Sequence, residues 1–301
     1  MSRTDDDSWD ITEGVGATAL SVARARAAES GQRTPLFTDP YAGYFVEAAL
    51  AAGWQSSFAA ETLAEGRYMQ LMAAYIAART KYFDEFFSTA GAHGVDQVVI
   101  LAAGLDTRAW RLSWIGGTVV YELDQPKVLE FKDEVLGRHG AQPAARYVPV
   151  PIDLRHDWPK ALHNKGFDPA RPTAWLAEGL LPYLSAVDQD LLFARISELS
   201  AAGSRIAVEA FTPEFFDPVN LKRRRDRLLE AAATAGREVP ETEKLWYLEP
   251  RTDVMEWLGR HGWDAAAITS PELLARYQRP APEGADEAVP GSLFVQGYLE
   301  K

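Results

Sequence analysis

The stretch VVILAAGLDTRAWRL, Val98 to Leu112, reads as a buried strand that runs into a turn and then a helix. Gly104 stands at the point where nucleotide-binding folds receive their ligand. A phosphate-binding loop would carry further glycines there. This turn carries Asp106, Arg108 and Arg111 instead. Its ligand has to suit a single glycine flanked by charges of both signs.

Outward from this stretch, short apolar runs alternate with helical segments from about residue 95. QVVILAAG, GTVVYELD, ARYVPVPID, TAWLAEG and SRIAVEAF match buried strands separated by helices. That alternation predicts an α/β domain around a largely parallel sheet. The helix after Ser185 opens on a capping pair with Asp188, turns Leu192, Ile196 and Leu199 inward, and is expected to end at Gly203. Residues 212–249 read as a charged, helix-prone insertion, containing KRRRDRLLEAAATAG. The pattern then resumes with DVMEWLGRHG and a strand near Trp263–Ile268, and GSLFVQGYLE is expected as an antiparallel edge strand. RPAPEGADEAVPG, Arg279–Gly291, reads as a loop.

Residues 1–94 look helical. TALSVARARAAES, DPYAGYFVEAALAAG and YMQLMAAYIAARTKYFDEFF supply the segments, and Leu71, Tyr75, Ala78, Tyr82 and Phe86 recur at helical spacing. The expected organisation is an N-terminal helical cap over 1–94 and a sheet-based core over 95–301. The 212–249 insertion would be a lid within one compact unit.

Composition narrows the function. The chain has 301 residues, 47% of them hydrophobic and 25% charged, which suits a globular fold. A net charge of −12 opposes general binding to nucleic acid or to an anionic membrane, since both need a basic face. Lys222–Arg225 is a local basic run, read first as a solvated helix face. There is no cysteine, so thiolate chemistry and Cys-ligated metals are excluded. No metal cluster is expected. The acidic start MSRTDDDSWD has no apolar signal region, and no run approaches the ~18 apolar residues of a membrane span. A cytoplasmic protein is expected.

In an open α/β sheet the ligand lies beyond the carboxyl ends of the strands. Gly104, Asp106 and Arg108 follow the first strand, and Asp124 ends the second, 20 residues beyond Gly104. Asp153–Leu154 end the third, Glu178–Gly179 the fourth, and Glu209 the fifth. Asp124 has the spacing of an acid that accepts ribose hydroxyls, or of a loop residue opening the helix at Pro126. A dinucleotide fits poorly, because one glycine and the Asp106 carboxylate do not suit a pyrophosphate. Asp106 also reads as a cap on its own helix. S-adenosylmethionine fits better. Its adenosine uses the ribose acid, its ammonium and sulfonium favour carboxylates, and its carboxylate favours Arg.

RTKYFDEFF, VVILAAGLDTRAWRL, VVYELDQP, VPIDL and AEGLLPYLS follow one another in order. Together they resemble the leucine-carboxyl-methyltransferase-like family of S-adenosylmethionine-dependent methyltransferases. That family includes actinobacterial members and O-methyltransferases of polyketide pathways. The resemblance runs from about Thr18 to Phe211. It implies a class I, Rossmann-like α/β fold with a mostly parallel sheet and an antiparallel last strand. It further implies that Arg79 holds the cofactor's methionine carboxylate and that Ala102, Ala103 and Gly104 line its amino-acid part. Asp124 would bind the ribose diol. Asp153 and Leu154 would bracket the adenine, and Glu178 would sit beside the ammonium and the transferred methyl. The family's turn is close to G-A-G-x-D-T-R, and Ala102 stands here where its first Gly lies. Arg79 and Arg108 also read as helix-surface residues, Asp153 as a turn cap, and Glu178 as a structural carboxylate.

Methyl transfer needs the acceptor held ~3 Å from an activated carbon, with water excluded. A carboxylate acceptor needs no base, whereas a hydroxyl gains from one. None of the histidines (His93, His139, His156, His163, His261) stands at a strand end. Tyr183 and Glu178 are the candidate catalytic residues, and of these Tyr183 is the one placed to touch substrate or, equally, to fill the core. Phe211, Phe215, Phe216 and Trp246 suit an apolar lining, and Arg24 or Arg26 could anchor a substrate acid. The expectation is an O-methyltransferase of a small organic molecule, polyketide-like in character. Methyl esterification of a peptide or protein C-terminus and N- or C-methylation stand as alternatives within the class. A nicotinamide-dependent oxidoreductase and a non-catalytic cofactor-binding protein stand outside it.

Overall fold

The structure, a computed structural model, describes residue 11 and residues 14–54, 67–233, 245–281 and 289–300. The acidic start at residues 1–10, residues 234–244 of the insertion and residues 282–288 of the Arg279–Gly291 loop lie outside the described residues.

Seven strands make one sheet: β1 (Gln97–Leu101), β2 (Val119–Asp124), β3 (Arg146–Pro151), β4 (Thr173–Ala177), β5 (Arg205–Phe211), β6 (Trp263–Thr269) and β7 (Ser292–Leu299). Their order is β3-β2-β1-β4-β5-β7-β6. β1 and β4 are buried along their whole length, as their unbroken apolar runs require. The chain builds outward through β2 and β3, then crosses to the other side of β1 at β4, which puts the topological switch between β1 and β4. Register places Leu101 beside both Leu123 and Ala177, so the residues that follow β1, β2 and β4 emerge together at one edge.

Among the described residues, the helices α1 (Gly14–Ser30), α2 (Ala42–Ala51) and α3 (Arg67–Ala92) precede the sheet. On α3, Leu71, Tyr75, Ala78, Tyr82 and Phe86 are all buried against the sheet, as their spacing predicts. Helices α4 (Arg108–Arg111), α5 (Pro126–Arg138), α6 (Trp158–Asn164) and α7 (Ala186–Glu198) connect the first five strands. After them come α8 (Pro218–Ala233), α9 (Val254–Arg260) and α10 (Ser270–Arg276). Among the described residues no helix is long and apolar enough to cross a membrane.

The helix expected after β1 is present as a single turn, since Leu112 is extended at its end. Two local expectations are corrected. Helix α7 starts at the Ser185 cap, whose hydroxyl accepts from the Asp188 N–H at 3.1 Å, but it ends at Glu198. Gly203 instead turns the chain into β5 with φ +87°. Finally, β7 is antiparallel as expected but is no edge strand. It lies between β5 and β6 and is bonded on both sides. Gly297 permits that insertion: a Cβ there would stand 2.9 Å from Ile206 Cγ2 and 3.5 Å from the Trp263 ring. Gly297→Ala is therefore expected to lower stability by about 1–3 kcal/mol through overpacking, read as a fall in the denaturant midpoint at constant slope. An unchanged midpoint would mean that Ile206 yields freely.

Candidate active site

A cavity of about 400 Å³ opens at the carboxyl ends of the strands, within the range of small-ligand sites. Arg79, Ala102, Ala103, Gly104, Asp124, Asp153, Leu154, Glu178 and Tyr183 all line it. The sequence thus names residues from five separate segments that the fold gathers into one wall.

The turn after β1 forms the floor. Gly104 has φ +52°, and a Cβ on it would lie 3.4 Å from Ala19 of α1. Ala102 is also left-handed, at φ +51°, so the backbone keeps the glycine-like conformation although the residue has a methyl group. Such a conformation costs a non-glycine residue about 1 kcal/mol or more and persists where its surroundings enforce it. Asp106 secures the start of α4, its Oδ1 accepting from the Arg108 N–H at 2.6 Å.

Asp124 Oδ2 accepts from the Gly104 N–H and Oδ1 from the Gln125 N–H, both at 2.6 Å. Burial raises its pKa to about 6, although both N–H bonds pull the other way. Further back on β2, Glu122 is fully buried and paired with Lys132, and burial pushes its carboxyl up to about 7. Asp153 is held differently. Oδ1 accepts from the Arg155 backbone N–H (2.9 Å) and Nε (3.0 Å), and Oδ2 from Arg155 Nη2 (2.7 Å) and Gln125 Nε2 (3.1 Å). Those four bonds fill the acceptor capacity of a carboxylate. Burial alone would raise the Asp153 pKa, but the Arg155 bonds keep it below the usual carboxylate value.

Arg79 and Arg108 are buried, which removes the helix-surface reading of both. Arg79 meets Glu178 through Nε and Glu209 through Nη1, each at 2.9 Å. Burial opposes its charge, yet Glu209 and Glu178 raise its pKa above the ordinary guanidinium value. Glu209 also accepts from the Gly179 N–H at 2.8 Å and from the Tyr75 hydroxyl, which shares a 2.7 Å bond with Ser292 on β7. Arg108 binds Asp84 at 2.8 Å, Glu178 at 2.8 Å and Asp106. Asp84 is gripped again by Arg111 at 2.6 Å, and Arg111 lies 3.9 Å from Asp39, which Arg26 meets at 3.1 Å. One continuous chain of buried charges thus runs from β5 through α3 and α4 to α1. Arg26 is committed inside it, bonding the Leu105 carbonyl as well. Arg24 does not line the cavity.

The outer half of the cavity has an apolar, aromatic wall, with Arg224 and Arg225 of α8 beside it. Val15 and Val22 of α1, Tyr68 and Met72 of α3, and Phe211, Phe215 and Trp246 wall it. Phe216 is buried behind the Phe211 and Phe215 rings and does not line the space. None of the five histidines lines it either; His139 stacks on Tyr44 and His261 on Trp257. Sequence reading noted Glu209 at a strand end but missed it as the partner of Arg79. Tyr75, read only as a core residue, gave no signal of its bond to Glu209.

The family model described as leucine carboxyl methyltransferase matches residues 19–197. Among curated relatives, a "Putative S-adenosyl-L-methionine-dependent methyltransferase" of Mycobacterium avium is 54% identical, the alignment covering 98% of each chain. A protein of the same name from Mycobacterium marinum is 53% identical over 99% of each. Among solved structures, a DUF574-family protein from Streptomyces avermitilis superposes with a TM-score of 0.52 at 14% identity. That match covers 92% of this chain and 96% of the other, and it supports the fold.

Proposed function

The chain belongs to the leucine carboxyl methyltransferase family, and we propose that it transfers the methyl group of S-adenosyl-L-methionine to an oxygen, carboxylate or hydroxyl, of a small organic molecule. The observation that carries this reading is the division of one cavity into a carboxylate-rich floor and an apolar, aromatic outer wall. When bound, the cofactor supplies a methyl group already activated on a cationic sulfur.

The residues present fit that cofactor. Asp124 would accept the ribose hydroxyls with the lone pairs that its two N–H bonds leave free. The left-handed backbone at Ala102 and Gly104 opens space for the amino-acid part, with Ala103 beside it. Arg79, gripped by Glu178 and Glu209 through Nε and Nη1, would offer its remaining arm to the cofactor's carboxylate. Glu178 then faces the cofactor's ammonium. Leu154 would flank the adenine, and Asp153 would bond its amine only after Gln125 has turned away from Oδ2. Tyr183 closes the acceptor side, where the apolar wall excludes water and orientation supplies much of the rate.

Calorimetric titration with S-adenosylhomocysteine and, separately, with NADH tests the reading. Binding of the first and none of the second is expected; the reverse would sink it. A mass-spectrometric search for O-methylated product among small organic acids and alcohols tests the acceptor. Methyl transfer only to nitrogen or carbon would overturn the oxygen assignment.

The Asp124 carboxyl gives the binding a pH signature. Ribose hydroxyls donate to the ionised form, so binding lowers the Asp124 pKa and releases a proton wherever the free protein carries one. Affinity for S-adenosylhomocysteine is therefore expected to be level above about pH 7. It should fall as pH drops through about 6, approaching tenfold per pH unit. Titrations between pH 5 and 8 check this, and a flat profile would count against Asp124 as the ribose acid.

A further inference from the structure

The basic run Lys222–Arg225 splits in two on α8. Lys222 and Arg223 are exposed, and Lys222 pairs with Asp226 at 2.8 Å. Arg224 and Arg225 are half-buried and line the cavity. The acidic residues of the cavity, Asp106, Asp124, Asp153, Glu178 and Glu209, all lie at strand ends. Arg79 and Arg155 are paired with acids of that floor, and Arg26 with Asp39. Among the described lining residues the acids thus stand at the floor and Arg224 and Arg225 at the roof.

The roof has a second feature. Trp246 lines the cavity beside Arg224, whose guanidinium carbon is 3.9 Å from the Phe215 ring centroid and 5.7 Å from that of Trp246. The Trp246 indole nitrogen is buried, and among the described residues no acceptor meets it. A buried donor without an acceptor is costly, and a ligand oxygen would remove that cost.

The roof and the floor are set apart. Phe211 follows Glu209 by two residues, roughly 7 Å of strand. Its ring packs on Phe215 at 4.4 Å, and the Phe215 ring also carries the Arg224 guanidinium. An anion beside Arg224 is separated from the floor by aromatic rings.

We infer that Arg224, Arg225 and the Trp246 N–H form an anchoring subsite for an acidic group of the methyl acceptor, and that the oxygen methylated is a separate hydroxyl at the other end of an apolar body. This rests on the proposed methyltransferase reading. The hydroxyl oxygen bonds to the methyl carbon as the C–S bond breaks, the sulfur keeps the bonding pair and becomes a neutral thioether, and the hydroxyl proton leaves to solvent. The acid stays charged and anchored throughout. The substrate class is thus an amphiphilic hydroxy acid.

The test uses the whole chain saturated with S-adenosylhomocysteine and two probes, 6-hydroxy-2-naphthoate and 2-naphthol, followed by calorimetry and by tryptophan fluorescence. The naphthoate is expected to bind at least tenfold more tightly than the naphthol. Arg225→Gln should erase that preference, whereas Arg223→Gln, which removes an equal charge from the exposed face, should leave it. S-adenosylhomocysteine affinity should be the same in all three proteins. A naphthoate that binds no better than naphthol, or an Arg223→Gln effect equal to that of Arg225→Gln, would overturn the subsite. So would methyl 6-hydroxy-2-naphthoate as the product with S-adenosylmethionine, since the acid would then be the acceptor. Failure of S-adenosylhomocysteine itself to bind the wild-type protein would be a different failure, that of the methyltransferase reading beneath it.

Discussion

Asp124→Asn is expected to weaken S-adenosylhomocysteine binding by roughly 10- to 100-fold while leaving the free protein about as stable as the wild type. The first half follows from losing charge-assisted bonds to the ribose, each worth about 1.5–3 kcal/mol. The second half follows from the environment of the carboxyl. Burial raises its pKa to about 6, so the native state holds its proton more tightly than the unfolded chain does. Stability contributed at this position is therefore present at low pH and lost as pH rises from the unfolded value, near 4, through 6. At neutral pH the ionised group costs the free protein roughly 3 kcal/mol, an order-of-magnitude figure. The neutral amide avoids that cost, but its single oxygen can accept from only one of the Gly104 and Gln125 N–H groups, and the unmet donor costs about 1–3 kcal/mol, so the two effects roughly offset. Calorimetry and thermal melts on the same preparation check both halves. Binding within threefold of wild type would remove Asp124 from the ribose site. A collapse in melting temperature would recast it as a structural residue.

The largest loss of stability is expected from Arg108→Ala. This guanidinium is 1% exposed and holds Asp84, Asp106 and Glu178 at once. Removing it leaves buried carboxylates facing one another without their cation, which typically costs 3–5 kcal/mol. For a chain of this size that lowers the melting temperature by about 10 °C. Lysine should rescue little, since one ammonium cannot span three acids in the planar geometry that Arg108 uses. Circular-dichroism melts of both variants decide the matter. A shift under about 2 °C would mean that water replaces the cation.

Much of this was legible because the strands announce themselves. β1 and β4 are unbroken apolar runs, and in α/β folds the residues after such runs face the ligand. Asp124, Asp153 and Glu178 are therefore assigned to one edge by the sequence pattern alone. How the charges pair could not be read. Arg79 and Glu209 are 130 positions apart in the chain, and nothing local in either segment marks them as partners. Asp39 and Thr107, 68 positions apart, meet for the same reason, through the packing of helices whose mutual angle no periodicity encodes. The misplacement of β7 is instructive in another way. GSLFVQGYLE has the composition of an edge or an interior strand equally. The deciding residue is Gly297, whose missing side chain matters only once Ile206 and Trp263 stand beside it. The basic run 222–225 likewise shows one charge pattern in sequence and two environments in space.

The position of β7 also sets an order of assembly. β5 has no partner on its outer side until a strand made far later in synthesis arrives, and β6 has no sheet neighbour at all without it. Until then a growing polypeptide presents the open edge of β5, the kind of surface that invites aggregation and chaperone capture. Ser292, at the start of that late strand, is also the residue whose hydroxyl meets Tyr75 across 217 positions of chain, beside Glu209 and Arg79. The cavity wall at Glu209 is therefore completed only after β7 has been made. Ribosome-bound chains halted before β7 should be unable to retain S-adenosylhomocysteine, however well their earlier strands have paired.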